Sequence, residues 1–315
     1  MKNIINDLAI VVPSYNRHDY LNRIASFYSD FDINVYILDS TSSEAHLNLP
    51  KNVHYKWVPQ QNFSQKILFQ IEELSDIPYI ALIADDDFVK YESLIECYEA
   101  MADNSNYVMA NGIQYLFKQD FDEQFYYNHS ANGFEGTHII KNDEDGIRFY
   151  WNHYQNIIWS LFKRDILLKA FRNLVDCNFT SGNFPEMLIS IEVLRSGYVY
   201  MSEHPFNYME INPSDHWGTT SPSISWHSYW TNQSLKNDVQ IFKKHFRDDE
   251  LALKCINLHM GTQLDSIINI IVNKIKMLLV STISHYFRKS KETRNGFSAV
   301  SDVVMSERLA RVFCE

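Results

Sequence analysis

Tyr79-Ile80-Ala81-Leu82-Ile83-Ala84-Asp85-Asp86-Asp87-Phe88 sets an apolar run directly against three consecutive carboxylates. A run of this length, preceded by Pro78 and stopped by the acids, reads as a buried strand. Three adjacent anions repel one another, so the fold must supply a reason to keep them. A hard divalent cation, with a phosphate held beyond it, is the usual reason. The carboxyl end of a strand is also where open α/β sheets bind their ligands. A helix N-terminus ahead of Tyr91-Glu92-Ser93-Leu94 accounts for one or two of the acids and poorly for three.

Outward from this run the pattern repeats. Upstream, Leu8-Ala9-Ile10-Val11-Val12 ends at Pro13 and suits a buried parallel strand. Tyr20, Leu21, Ile24, Phe27 and Tyr28 recur at helical spacing, with Asp19 as the cap. Asn34–Leu38 is a second strand, stopped by the polar cluster Asp39-Ser40-Thr41-Ser42-Ser43. Val53–Val58 is a third, and Ile67, Leu68, Ile71 and Leu74 mark a helix. Strands alternating with helices imply right-handed crossovers and a mainly parallel sheet.

Downstream the rhythm changes. Tyr91, Leu94, Ile95, Tyr98 and Met101 form a helix face, and Ile113, Tyr115 and Phe117 alternate as a half-exposed strand. Residues 118–136 read as a long loop or hairpin, and Ile157–Phe162 as a strand followed by a helix from about Asp165. Phe184-Pro185 opens another helix, Gly197 ends it, and Tyr198–Met201 returns as a strand. Asn212–Ser225 reads as a mobile loop. From Trp226 the character is helical, with an apolar stripe at Ile267, Ile268, Ile271, Ile275, Leu278 and Leu279 beside lysines and arginines. Such a stripe suits an anionic bilayer surface, the rest of the protein or a second subunit.

Composition narrows the class. The chain has 315 residues, 45% of them apolar, and a formal net charge of -11. That is globular composition, and the charge argues against a duplex nucleic-acid binder. Cys97, Cys177, Cys255 and Cys314 make no CxxC pair or metal knuckle, so reduced thiols in a cytoplasmic protein are expected. No segment has the roughly 20 uninterrupted apolar residues of a membrane span.

Three motifs in order, Ile10-Val11-Val12-Pro13-Ser14-Tyr15-Asn16-Arg17, Tyr36-Ile37-Leu38-Asp39-Ser40 and Asp85-Asp86-Asp87, give the chain its resemblance to a family. It resembles the GT-A glycosyltransferases, specifically the family-2-like group acting on bacterial surface polysaccharides, over about residues 8 to 210. The resemblance implies an α/β, Rossmann-like GT-A domain at 1–225, with a nucleotide-sugar-binding half at 1–103 and an acceptor-binding half at 104–225. The helical region 226–315 would meet membrane, partner or a second subunit.

The resemblance also implies roles. Pro13, Tyr15 and Arg17 would flank the base and reach a phosphate. Asp39 would accept from a ring N–H, which suits uracil. Lys66 would neutralise the diphosphate. Asp85 and Asp86 would lie near the ribose, and Asp87 would be the direct ligand of Mn²⁺ or Mg²⁺, with Asp85 and His216 completing the metal site. Glu186, opening a helix, would be the base that takes the acceptor hydroxyl's proton, ionised at pH 7 with an ordinary pKa. Trp159, Trp217 and residues 125–127 are candidate sugar-stacking aromatics. The reaction expected is transfer of a sugar from a UDP-sugar to a glycan or lipid-linked glycan, with inversion. The rivals are a sugar-nucleotide nucleotidyltransferase, disfavoured by the lack of glycine in Pro13–Arg17, and a non-catalytic carbohydrate-binding protein.

Overall fold

The computed structural model of the chain describes residues 4–119, 125–129, 136–152, 156–210, 233–247, 249–250 and 252–253. After a single turn, α1 (Ile4–Asp7), all seven residues of β1 (Leu8–Ser14) are buried. Then come α2 (His18–Phe27), β2 (Asn34–Asp39), β3 (Val53–Trp57), α3 (Phe63–Glu73) and β4 (Tyr79–Leu82). β1 lies between β2 and β4, and β3 is the outer neighbour of β2; all of these pairs are parallel. The unbroken apolar runs of β1 and β4 follow from helices covering both faces. Along β1 the pleat sends Ala9 and Val11 to one core, and Leu8, Ile10 and Val12 to the other.

α2 buries Tyr20, Leu21, Ile24 and Phe27, as its spacing predicts. It begins at His18 behind Arg17, so Asp19 sits inside the first turn rather than at the cap. α3 starts at a capping box in which the Asn62 and Gln65 side chains each accept from the other's backbone N–H.

The three acids differ from the simplest expectation. β4 stops at Leu82, the chain turns with the Asp87 N–H donating to the Ala84 carbonyl, and Asp87 opens a further strand, β5 (Asp87–Val89). The acids therefore form a turn between two strands of one sheet.

The second half continues the same sheet. It comprises α4 (Tyr91–Asp103), β6 (Tyr107–Gln119), β7 (Phe125–His129), β8 (His138–Ile140), α5 (Glu144–Asn152), β9 (Leu161–Lys163), α6 (Arg164–Cys177), α7 (Asn183–Ser196), β10 (Tyr198–Glu210) and α8 (Gln233–His245). The main order is β3-β2-β1-β4-β9-β6-β10-β5, with β7 on β6 and β8 on β10. β6 and β10 are parallel, whereas β5, β7, β8 and β9 pair antiparallel. The result is a Rossmann-like, mostly parallel sheet between helical layers, with α2 and α4 on one face and α3, α5, α6, α7 and α8 on the other.

The 118–136 segment contains the hairpin strand β7. Ile157–Phe162 is strand only from Leu161, because the Asn156 side chain accepts from the Ile158 N–H and Ser160 N–H donates to the Ile158 carbonyl. Those local bonds use the groups a ladder would need. Asn212–Ser225, His216, Trp217 and the 267–279 stripe lie outside the described residues. Among the described residues no helix is long and apolar enough to cross a membrane.

Candidate functional site

The parallel registers align Ser14, Asp39 and Trp57 in one row at the carboxyl edge of β1, β2 and β3. The 84–87 turn follows β4 at the same edge. Parallel strands bring their carboxyl ends together, so residues far apart in sequence gather without any loop having to travel.

Asp39 is fully buried. One carboxylate oxygen accepts from the Thr41 N–H (2.9 Å) and Thr41 hydroxyl (2.5 Å). The other accepts from the Tyr55 hydroxyl (2.9 Å) and meets His18 Nε2 at 3.0 Å. All four acceptor directions of the carboxylate are thus occupied. The His18 side chain is one-third exposed.

The Pro13–Arg17 loop is tied to the same point. Thr41 Oγ1 accepts from the Asn16 N–H at 2.8 Å, and Asn16 holds the left-handed conformation, φ 57°. Asparagine is among the few non-glycine residues that adopt it readily. This kink leaves Tyr15 exposed, at 62% of its surface. Pro13 lies within β1, buried and paired with Leu38, so it shapes the strand end rather than facing a ligand.

Arg17 turns back onto the acids. Its guanidinium is 2.8 Å from Asp85 and 2.7 Å from Asp86. Burial works against its charge, but the two carboxylates outweigh that and hold it firmly protonated. Asp85 also accepts from the Ser14 hydroxyl at 2.7 Å. Burial raises the Asp85 pKa to about 6, Arg17 opposing and Asp86 adding to the rise. Asp87 is buried, its acidity weakened by burial and then by Asp86, and it accepts from the Asn207 side-chain amide at 3.0 Å. The Asn207 carbonyl oxygen is itself buried, with no partner among the described residues.

Lys66 is buried below the loop and donates to the Ser14 carbonyl and to Ser40 Oγ. Burial lowers its pKa to about 8, with Asp85 and Asp39 opposing. Two of its three donors are used.

Each of the three acids thus has a partner within the protein. Both oxygens of Asp85 are engaged, Asp86 is paired to Arg17, and Asp87 is buried against Asn207. No group of three metal-ligating side chains occurs among the described residues. Among the described residues Arg17 is the counter-charge that lets adjacent carboxylates coexist, and His216, the further metal ligand expected, lies outside them.

Glu186 sits in the first turn of α7, whose last turn leads through Gly197 back to the start of β10. β10 shares the direction of β6, and through β9 that of β4, so α7 begins toward the carboxyl edge. Glu186 has no hydrogen-bond partner among the described residues. Burial alone raises its pKa to about 7, well above the ordinary value expected from sequence. Tyr150 is its electrostatic neighbour, the hydroxyl held 3.2 Å from Ser190.

The site thus gathers Tyr15, Arg17, Asp39, Lys66, Asp85, Asp86 and Asp87 at one edge. His18, Thr41, Tyr55, Trp57 and Asn207 join it without having been singled out from sequence. The alternation of Tyr55 and Trp57 on one strand is the signal that was there to read. Trp159 is partly buried and packs edge-on against Phe63 (6.2 Å, 85°) beside the core.

No protein-family model and no curated protein matches the chain. Among solved structures, the chain is similar to CMP:2-keto-3-deoxy-manno-octonic acid synthetase complexed with CTP, at 9% identity and a TM-score of 0.34, over 63% of this chain and 90% of that one. A likeness of that size carries no argument about activity.

Proposed function

We propose that the protein is a glycosyltransferase that moves a sugar from a nucleoside diphosphate, UDP by preference, to a hydroxyl of a glycan or lipid-linked glycan. The observation that carries this reading is the convergence of Asp39, the exposed Tyr15 and the Arg17–Asp85–Asp86 pair on one strand-end edge. The base is read by Asp39, whose His18 partner is the one a ring N–H replaces. Arg17 cancels most of the repulsion between the acids and an incoming diphosphate, and Lys66 adds positive potential beneath the loop.

In the transfer, the acceptor oxygen forms a bond to the anomeric carbon as the bond from that carbon to the phosphate oxygen breaks. The bonding pair leaves with UDP, and the hydroxyl proton passes to Glu186. A pKa of about 7 poises Glu186 near neutral pH, where a general base is most effective.

Isothermal titration with UDP, in EDTA and again with Mn²⁺, tests the reading. Binding in EDTA supports the site as described, and binding only with Mn²⁺ restores the metal expected from the acids. No binding in either condition overturns the proposal. Pyrophosphate release from UTP or CTP in the presence of a free sugar moves the assignment to nucleotidyl transfer.

A further inference from the structure

Trp57 is 39% exposed at the end of the outermost strand of the main sheet order. An exposed tryptophan on an edge is ordinarily a free rotor. This one is pinned: its indole N–H donates to the Thr41 carbonyl at 2.8 Å. Among the described residues no aromatic ring or cation covers its face. A large apolar surface held still and left open is a surface prepared for a ligand.

The direction of the ring follows from the strand. Side chains two residues apart stand on the same face. Tyr55 already reaches Asp39 with its hydroxyl at 2.9 Å, so Trp57 stands on the Asp39 side of β3. Thr41 is the common anchor, receiving the Asn16 N–H on its hydroxyl and the Trp57 N–H on its carbonyl. Tyr15 and Trp57 therefore flank the end of β2 from β1 on one side and from β3 on the other.

Two inter-strand steps separate β1 from β3 by about 9–10 Å. A planar ring held between two others needs about 7–8 Å, two van der Waals contacts of about 3.5–4 Å. The strand spacing thus leaves room for one planar heterocycle over the end of β2, beside the Asp39–Thr41 segment.

We infer that Trp57 is a specificity-determining residue of the donor site, stacking on the nucleobase opposite Tyr15 while Asp39 reads the base edge. This rests on the proposed function, which places the nucleoside at this edge.

The test compares wild type, Trp57→Leu and Trp57→Phe by titration with UDP and, as a control lacking a base, pyrophosphate. Trp57→Leu is expected to weaken UDP about tenfold or more, the usual scale for losing a base-stacking ring, with pyrophosphate unchanged. Trp57→Phe keeps a ring without the pin and is expected to fall between the two. Quenching of tryptophan fluorescence by UDP is expected in wild type and much reduced in Trp57→Phe. If wild type binds UDP and Trp57→Leu binds it equally well, the inference fails while the proposed function stands. Equal losses for UDP and pyrophosphate also overturn it, because Trp57 then supports the strand end rather than the base. If wild type does not bind UDP, both readings fall together.

Discussion

Glu186, the base in the proposed reaction, is held under two opposed demands: a base must be ionised, and its surroundings favour the neutral acid. Its folded pKa is about 7 against an ordinary 4.5, with burial as the cause. The linkage has a definite sign. Below pH 4.5 both folded and unfolded chains are protonated and the site is neutral to stability. Between pH 4.5 and 7 the unfolded chain ionises first, and the folded state is progressively penalised. Glu186→Gln should therefore raise stability by about 1–3 kcal/mol above pH 7 and leave it unchanged below pH 4.5. Urea denaturation at pH 4 and pH 8 measures this, and equal stabilisation at both would show that the shift is absent. The acidic nature of this residue was legible, since Glu opening a helix is a readable pattern. Its protonation was not, because burial by Tyr150 and the surrounding core is a property of distant packing. The same holds for Arg17, whose partners lie 68 and 69 positions along the chain. Sequence supplied the acids at 85–87 and left open what neutralises them.

Among elements, α8 is the one whose sequence said least about its place. It docks on the entry to α7: Asp238 is buried, and its carboxylate accepts from the backbone N–H groups of Thr180 (3.0 Å) and Ser181 (2.8 Å). Phe242 packs on Phe184 at 5.2 Å, and His245 meets Glu192 at 3.2 Å. Asp238→Ala removes the carboxylate acceptor of two backbone N–H groups, of which that of Ser181 is buried. It is expected to cost about 2–4 kcal/mol, each hydrogen bond to a charged group contributing about 1.5–3. A melting temperature lower by about 5–10 °C is the expected readout, with Asp238→Asn intermediate. A change under 1 °C would mean the helix is held by its phenylalanines alone. β1, β2 and β4 were readable because continuous apolar runs have few other solutions. β8 and β5 are three residues each, too short for periodicity to register. The β6–β10 ladder depends on Gly112, where a methyl group would stand 2.4 Å from the His204 carbonyl oxygen. No local pattern announces such a close approach between strands so far apart.

Across the whole molecule, one sheet separates two cores, and both draw on each half of the chain. The proposed division at 103/104 falls between α4 and β6, yet the sheet runs across it in both directions. β5, from the first half, closes on β10; β9, from the second, sits between β4 and β6. The described part of α8 extends the core under α6 and α7. A chain comprising residues 1–210 is therefore expected to lose its sharp thermal transition and to bind the dye ANS, because Phe179, Phe184 and Glu192 lose their cover. A cooperative melt for residues 1–210 at the full-length temperature would show instead that α8 is dispensable.

The placement of β9 has a consequence for how the chain is made. During translation β4 emerges with one edge satisfied by β1 and the other open, and the strand that fills it is about 80 residues away. At about 5–20 residues per second, that edge stands unpaired for about 4–16 s on each ribosome. It is apolar and ends in like charges, so the carboxylates of the 84–87 turn also serve as gatekeepers that discourage two nascent chains from pairing.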